Sequence, residues 1–328
     1  MRVLVTGGAG YIGSVITERL LRRGDAPVVF DNFSQGHRDA LPPGVEVVQA
    51  DLADAAALGS VFQREAIEAV VHMAAVSIVG DSVRQPVRYY RENVANLFPL
   101  LDAMARAGCR RIVFSSSAAV YGEPSEVPIS ENCPTQPVNP YGSTKLMGER
   151  ILADAAAAGD SAGAPKFVSL RYFNVAGATE LAGEMHHPET HLIPRVLEVA
   201  LGERPHVELY GTDYPTPDGT CIRDYIHVED LADAHVQALD RTQSASGIYN
   251  LGNNRGYSVR EVIETVARVT GRKIPVENFA RRAGDPPQLI ASHRKAAEEL
   301  GWRPRRGLDE MISSAWQWRL KHPKGYAH

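Results

Sequence analysis

Cysteine is scarce in this sequence: Cys109, Cys133 and Cys221 are widely spaced, with no Cys-x-x-Cys pair. That excludes a disulfide-stapled scaffold and a zinc ribbon, and leaves three ordinary thiols. No charge sign dominates, since 35 Lys and Arg against 39 Asp and Glu leave a net charge of −4. Neither a nucleic-acid footprint nor attraction to an anionic membrane is expected, and Arg303, Arg305 and Arg306 read as a solvated turn. The chain has no apolar run of the roughly 18 residues that a membrane span requires. Its first residues already read as a core strand, so no secretory signal is expected and the cytoplasm is the expected location. Repeats and low-complexity tracts are also missing, the Ala155–Ala158 run being ordinary helix interior. With 44% hydrophobic residues over 328 positions, the chain can bury the core of one large or two ordinary domains.

The informative pattern begins at the first strand. Arg2-Val3-Leu4-Val5-Thr6 is a short β-branched and apolar run closed by glycines, the signature of a buried strand. Gly7, Gly10 and Gly13 follow with the spacing Gly-x-x-Gly-x-x-Gly, and Ile12, Val15, Ile16, Leu20 and Leu21 recur at helical intervals from inside it. Glycine permits the tight strand-to-helix turn and a close backbone approach to a pyrophosphate, and the helix N-terminus presents its N–H groups to that anion. A tight turn alone would give the same triplet. The strand before it, the helix after it and the second strand Val28-Val29-Phe30 ending in Asp31 favour a dinucleotide site. Asp31 stands at roughly the 20-residue spacing at which such a unit holds the adenosine ribose. An acid there repels a 2′-phosphate, so NAD is expected over NADP, with Arg38 the nearby residue that argues the other way.

Strands and helices then alternate: Val45–Gln49 is a strand ending at Ala50-Asp51, Ala55–Gln63 a helix, and Ala69–Met73 a strand ending at Ala74-Ala75. That alternation implies an α/β fold with a parallel, doubly wound sheet, whose ligands gather at the carboxyl ends of the strands. Asp51 is thus a candidate for the adenine amine and Ala74 for a close approach to the cofactor, although either could be a plain strand end. A long amphipathic helix is expected from about Pro86 to Ala107. The strand Arg111–Phe114 delivers Ser115-Ser116-Ser117 to the same edge. After a proline-rich loop, Asn139-Pro140 supplies an N-cap and a first-turn proline, placing Tyr141 and Lys145 one turn apart on one helix face. The strand Phe167–Tyr172 closes this half.

Residues 1–175 are therefore expected to form a Rossmann-type NAD-binding domain and 176–328 a smaller mixed substrate lobe. The lobe carries helices at Leu192–Leu201, Glu229–Leu239, Val259–Val269 and Leu308–Lys321, with Tyr225–Val228 and Ile248–Asn250 candidates to return to the first sheet.

Tyrosine is a poor base near neutrality because its pKa is about 10. Lys145, together with an oxidised nicotinamide, is expected to lower it, Lys145 also bonding the nicotinamide ribose, while Ser117 bonds the same substrate oxygen. His186, His187 and His191 with Glu184 and Glu189 offer metal-ligand chemistry, but their spacing matches no metal signature. No metal is expected, and the stretch reads as a polar, substrate-side loop.

Five segments carry a wider resemblance: TGGAGYIGS at Thr6–Ser14, SSSAAVYG at Ser115–Gly122, NPYGSTKLMGE at Asn139–Glu149, RYFNVAGA at Arg171–Ala178 and DGTCIRDYIHVEDLADAH at Asp218–His235. The chain resembles the extended short-chain dehydrogenases/reductases, and more narrowly their UDP-galactose 4-epimerases, from end to end through Trp316–Trp318. The resemblance implies that Tyr141 removes the 4-hydroxyl proton while hydride passes from C4 to tightly held NAD. A 4-keto sugar then turns over and is reduced on its other face. It implies a cofactor site of Gly7, Gly10, Tyr11, Ile12, Gly13, Asp31, Asn32, Asp51, Leu52, Ala74, Asn93, Tyr141, Lys145 and Tyr172. It further implies a UDP-sugar site in which Asn174, Arg223 and Arg282 hold the diphosphate, Asp285 the uridine ribose, and His191, Leu192 and Tyr210 the uracil.

Ser77, His191 and Leu289 depart from members with lysine, asparagine and tyrosine there, which bears on substrate range. A homodimer is implied through the Pro86–Ala107 and Tyr141–Ala158 helices, with Leu97, Leu101 and Ile151 on its surface. The alternatives are another NAD-dependent nucleotide-sugar epimerase, dehydratase or decarboxylase, and, in a different class, an NAD-binding redox sensor without catalysis. Dehydratases typically carry Asp-Glu where this chain has Ala118-Ala119, and sensors typically lose the Tyr or Lys of the pair.

Overall fold

The computed structural model describes residues 1–159, 164–282 and 284–326. Seven parallel strands form one sheet: β1 (Arg2–Thr6), β2 (Ala26–Asp31), β3 (Glu46–Gln49), β4 (Ala69–His72), β5 (Arg111–Ser117), β6 (Lys166–Tyr172) and β7 (Gly247–Leu251), in the spatial order β7-β6-β5-β4-β1-β2-β3. The central strands bury both faces, which is why they read as continuous apolar runs and not as alternation. Val3 and Val5 pack with Val15, Ile16 and Leu20 of the helix Tyr11–Arg23 and with Leu231 and Ala238 of the helix Val228–Arg241. The interleaved Leu4, Val70 and Ile112 pack on the other face with Leu58, Val61, Leu100 and Met104. Strand order reverses at β1, so the carboxyl ends of β1 and β4 open the crevice where such sheets bind ligands. There Gly7 has φ of 67°, and a Cβ on it would lie 2.6 Å from the Ala74 nitrogen. Only glycine permits that closure.

The Pro86–Ala107 stretch, expected as one helix, is wound in three parts: an α-helical Pro86–Tyr90, a π-helical Arg91–Ala95 and an α-helical Leu97–Ala107. The π turn carries Asn93, whose carboxamide accepts the Val76 N–H at 2.8 Å, donates to the Val76 carbonyl at 2.9 Å and donates to Thr144 Oγ1 at 3.1 Å. This tertiary bracket stands where the winding widens, a common situation of π bulges near functional sites. Leu97 does not lie on the surface, being 1% exposed in the core. Leu101 and Ile151 are partly buried against the same cluster. The exposed apolar side chains of this region are Val79, Val83, Val87, Phe98 and Met147.

Tyr225–Val228 does not return to the large sheet. The strand Ile222–His227 pairs instead with Asn174–Ala176, Gln288–Leu289 and Gly256–Ser258 in a small second sheet, while β7 flanks β6 at the edge of the large one. Its own residues explain the placement: Tyr225 faces a core with Val196, Val262 and Met311, while Ile226 faces the core of the large sheet. The strand therefore seams two hydrophobic cores. Among the described residues no helix is long and apolar enough to cross a membrane.

Candidate active site

The first turn of the helix Tyr11–Arg23 has Gly10 as its N-cap, no side-chain cap and no acidic residue. Its terminal N–H donors are thus available to an anion, as a pyrophosphate requires. At the end of β2 the Asp31 carboxylate accepts the Ala9 N–H at 2.9 Å and the Phe33 N–H at 2.8 Å. Burial raises its pKa while those two donors pull it down. Arg38 lies over the Phe33 ring, 4.7 Å from its centroid, and donates to Gln49. Asn32 donates to Asp51 at 2.8 Å, and Asp51 also accepts the Ala53 N–H. Leu52 turns its side chain into the core, Ile12 packs against the sheet, and the Tyr11 hydroxyl donates to the Gly177 carbonyl at 2.6 Å. The donor set and the glycine-lined turn fit NAD.

The second cluster lies at the carboxyl end of β5. Asn139 caps the helix Pro140–Ala157 by accepting the Gly142 N–H at 2.9 Å, which fixes Tyr141 in the first turn. Ser117 caps the short helix Ala118–Val120 and hydrogen-bonds the Tyr141 hydroxyl. Lys145 Nζ donates to the Ser115 carbonyl at 2.8 Å and stands 5.9 Å from the centroid of the Tyr141 ring. Tyr172 meets Ser115 through their hydroxyls. Ser117, Tyr141 and Lys145 thus lie together at this edge of the sheet. Burial pushes the Tyr141 hydroxyl up to about 12, with the Ser117 hydrogen bond pulling the other way. Burial also brings Lys145 down to about 7, opposed by Glu149. Withdrawal from water thus acts against both charged forms.

A buried network behind this cluster escaped the sequence reading. Glu149, one helical turn beyond Lys145, accepts from Arg171 Nε at 2.8 Å and Ser116 Oγ at 2.5 Å. Arg171 also donates to Tyr121, whose hydroxyl donates to Asn250 at 2.7 Å. This joins β5, β6, β7 and the Tyr141 helix through polar groups alone. A glutamate one turn beyond Lys145, on the same buried helix face, was the available signal.

The remaining predicted residues stand on strands, one helix and two loops of the lobe. Arg223 pairs with Asp285, Arg282 lies over the Tyr210 ring at 3.9 Å, and Asn174 donates to the Asp224 carbonyl at 3.0 Å. Leu289 pairs in register with Arg223 and packs beside Val120, Leu146 and Phe173, joining the lobe to the Ser117 and Tyr141 elements. Leu192 opens the helix Leu192–Ala200, packed in the core of the lobe. Its N-cap His191 turns Nδ1 to Glu184 at 2.9 Å and Glu189 at 3.0 Å.

Residues 3–252 match the family model described as the NAD dependent epimerase/dehydratase family. A UDP-glucose 4-epimerase from Lacticaseibacillus casei is 47% identical, with 99% of each chain covered. One from Streptomyces lividans is 50% identical over 99% of this chain and 98% of that one. The crystal structure of a UDP-glucose 4-epimerase from Brucella ovis in complex with NAD, 48% identical, superimposes with a TM-score of 0.92 over 96% of this chain and 97% of that one. With most of its length inside that family model, and with a dinucleotide turn and a Ser-Tyr-Lys cluster at one sheet edge, the chain belongs to the NAD dependent epimerase/dehydratase family.

Proposed function

We propose that the protein interconverts UDP-glucose and UDP-galactose by inverting C4 of the sugar, as a cytoplasmic homodimer that retains NAD through the cycle. The observation that carries this reading is the convergence of Ser117, Tyr141 and Lys145 beside the Gly7–Gly13 turn, in a chain aligned over its whole length with UDP-glucose 4-epimerases. NAD, when bound, takes two electrons from C4 and returns them. Tyr141 accepts the proton of the 4-hydroxyl and later gives it back, and Ser117 hydrogen-bonds the same oxygen. Lys145, anchored on the Ser115 carbonyl, reaches the nicotinamide ribose.

Residues 1–175 hold NAD through Gly7, Gly10, Gly13, Asp31 and Asp51, and 176–328 hold the sugar nucleotide. Reduction on the second face requires the sugar to turn while its nucleotide stays anchored, which is differential binding applied to the non-reacting part. Arg223 and Arg282 suit the diphosphate because a planar guanidinium fork bonds two oxygens at once. Asn174 adds a donor to that anion, Asp285 holds the ribose, and Leu192, His191 and Tyr210 border the uracil. Ala118 and Ala119 supply no acid to protonate a leaving hydroxyl, which disfavours a dehydratase.

The dimer reading rests on the exposed Val79, Val83, Val87, Phe98 and Met147 on adjoining helices, an apolar surface suited to a second copy. Light scattering at micromolar concentration should give twice the chain mass, and a monomer removes this part of the reading. The activity is tested by incubating the isolated protein with UDP-galactose and no added reductant. UDP-glucose should accumulate to a constant ratio; its absence, with NAD demonstrably bound, rejects the proposal.

A further inference from the structure

The loop before the helix Leu192–Ala200 gathers two carboxylates and two imidazoles that the proposed reaction does not use as a group. One ligand atom each from Glu184, His186, Glu189 and His191 lies within 4.8 Å of all the others. His187, from the same run of sequence, is exposed and stands outside the cluster. The separations are 2.9 Å from His191 Nδ1 to Glu184 and 3.0 Å to Glu189, and 3.5 and 3.6 Å from His186 Nδ1 to the same two carboxylates. A tetrahedral ion with bonds of about 2.0–2.1 Å sets ligand-to-ligand edges of roughly 3.3–3.4 Å. These four distances span that value, the two to Glu189 being measured from different oxygens of its carboxylate.

Two further observations point to an ion and not to simple ion pairing. The His186 Nδ1 is buried with no hydrogen-bond partner, although it is aimed between the two carboxylates. Both glutamate side chains are 7% exposed, so two negative charges are withdrawn from water beside imidazoles whose rings are only 5.2 Å apart. A divalent ion held between the two carboxylates and the two imidazoles balances that charge. We propose that Glu184, His186, Glu189 and His191 form a closed tetrahedral site for one divalent transition-metal ion of the zinc class.

The donor set excludes the hard cations, since calcium and magnesium take six or more ligands, mostly oxygens. Four protein ligands leave no open position, so the ion is structural and not catalytic. Its place gives it a role. The His186 ring packs edge-on to Tyr11 at 6.4 Å, Tyr11 bonds Gly177, and His191 caps the helix Leu192–Ala200. The ion therefore ties the dinucleotide turn to the start of the substrate lobe.

The NAD-bound protein, stripped with a chelator and dialysed, should take up one Zn2+ per chain in competition with a chromophoric chelator. Its thermal midpoint should rise with Zn2+ and not with Mg2+. Co2+ in place of Zn2+ should give the intense visible bands of tetrahedral coordination. His186→Gln and Glu189→Gln should each lower Zn2+ affinity beyond the roughly 10- to 100-fold that loss of a mere supporting partner brings, with NAD content and far-UV circular dichroism confirming their fold. Wild-type protein that binds Zn2+ no more tightly than His186→Gln overturns the site. Should the variants not fold, the wild-type Co2+ spectrum decides alone, and weak octahedral bands or unsaturable uptake overturn it equally.

Discussion

The same chemical pair, an arginine against a carboxylate, occurs in both halves of the site in opposite surroundings. Arg171 and Glu149 are 5% and 3% exposed, and their remaining polar atoms are engaged by Ser116 and Tyr121. Arg223 and Asp285 are 14% and 33% exposed, and the arginine's other hydrogen bond goes only to the neighbouring Ile222 carbonyl. A buried pair with every partner in place fixes geometry, because losing one member strands the other charge. A partly exposed pair with few other partners can exchange one of them for an anion at a smaller penalty. The Arg171–Glu149 pair thus holds the Tyr141 helix in place, and under the proposed function the Arg223–Asp285 pair gives way to a diphosphate.

The largest effect should come from removing the group that the rigid half positions. Tyr141→Phe deletes only the proton acceptor, so kcat for UDP-galactose should fall by about 10²–10⁴, while NAD co-purifies unchanged. Near-normal turnover would mean that another residue is the base.

The comparison itself breaks on the next pair of variants. Glu149→Ala should destabilise the fold by about 3–5 kcal/mol in urea denaturation, because it leaves the buried Arg171 unpaired. Asp285→Ala removes the acid of the partly exposed pair and should cost less, about 1 kcal/mol, with its damage appearing as a higher KM for the UDP-sugar. Equal losses of stability would show that the two pairs play the same part.

What the sequence revealed follows the same division. The Gly7–Gly13 turn and the Tyr141–Lys145 pair are local, set by spacing within one turn or one helix, and both were legible. So was the alternation of strands and helices that gives the seven-stranded sheet. The π turn at Arg91–Ala95 was not legible, since the widened winding accompanies an Asn93 bracket around Val76 that no local period encodes. Tyr225–Val228 was misplaced because an apolar strand facing two cores looks the same whichever sheet accepts it. Glu184, His186, Glu189 and His191 follow no helical or strand period, and only the folded loop brings their ligand atoms together. Burial, equally, cannot be read from spacing, and it pushes the Tyr141 hydroxyl up to about 12.

Lys145→Ala sharpens that point through pH. Phenolate is the active form of Tyr141, and a neighbouring cation favours it, so removing Lys145 raises the apparent pKa and moves the acid limb of the activity profile upward. Lys145 is itself held at about 7 by burial. Its charge, and with it the advantage of wild type over the variant, is fullest below pH 7 and fades as pH rises through that value. At pH 6 the variant should be slower by about tenfold or more, as a shift of at least one pKa unit implies, and the gap should narrow by pH 9. Parallel profiles would assign the cation's role to another group.

The smallest expected effect concerns the boundary between the two halves, where Leu289 stands opposite Arg223 in the strand register and packs beside Val120, Leu146 and Phe173. A residue in that position reaches toward both the diphosphate side and the Tyr141 helix, so it is suited to border the C2 substituent of the sugar. Leucine is smaller than tyrosine, which admits an acetamido group, but it is apolar and offers that group no hydrogen bond. A buried unpaired amide costs about 1–3 kcal/mol, or roughly ten- to a hundredfold, whereas a steric clash would exclude the substrate outright. Measurable activity on UDP-N-acetylglucosamine is therefore expected, about ten- to a hundredfold below that on UDP-glucose. Leu289→Tyr should abolish it while largely sparing UDP-galactose. Kinetics on the four UDP-sugars side by side check this: no N-acetyl activity in wild type at high enzyme concentration, or undiminished N-acetyl activity in the variant, would show that Leu289 does not set the space beside C2.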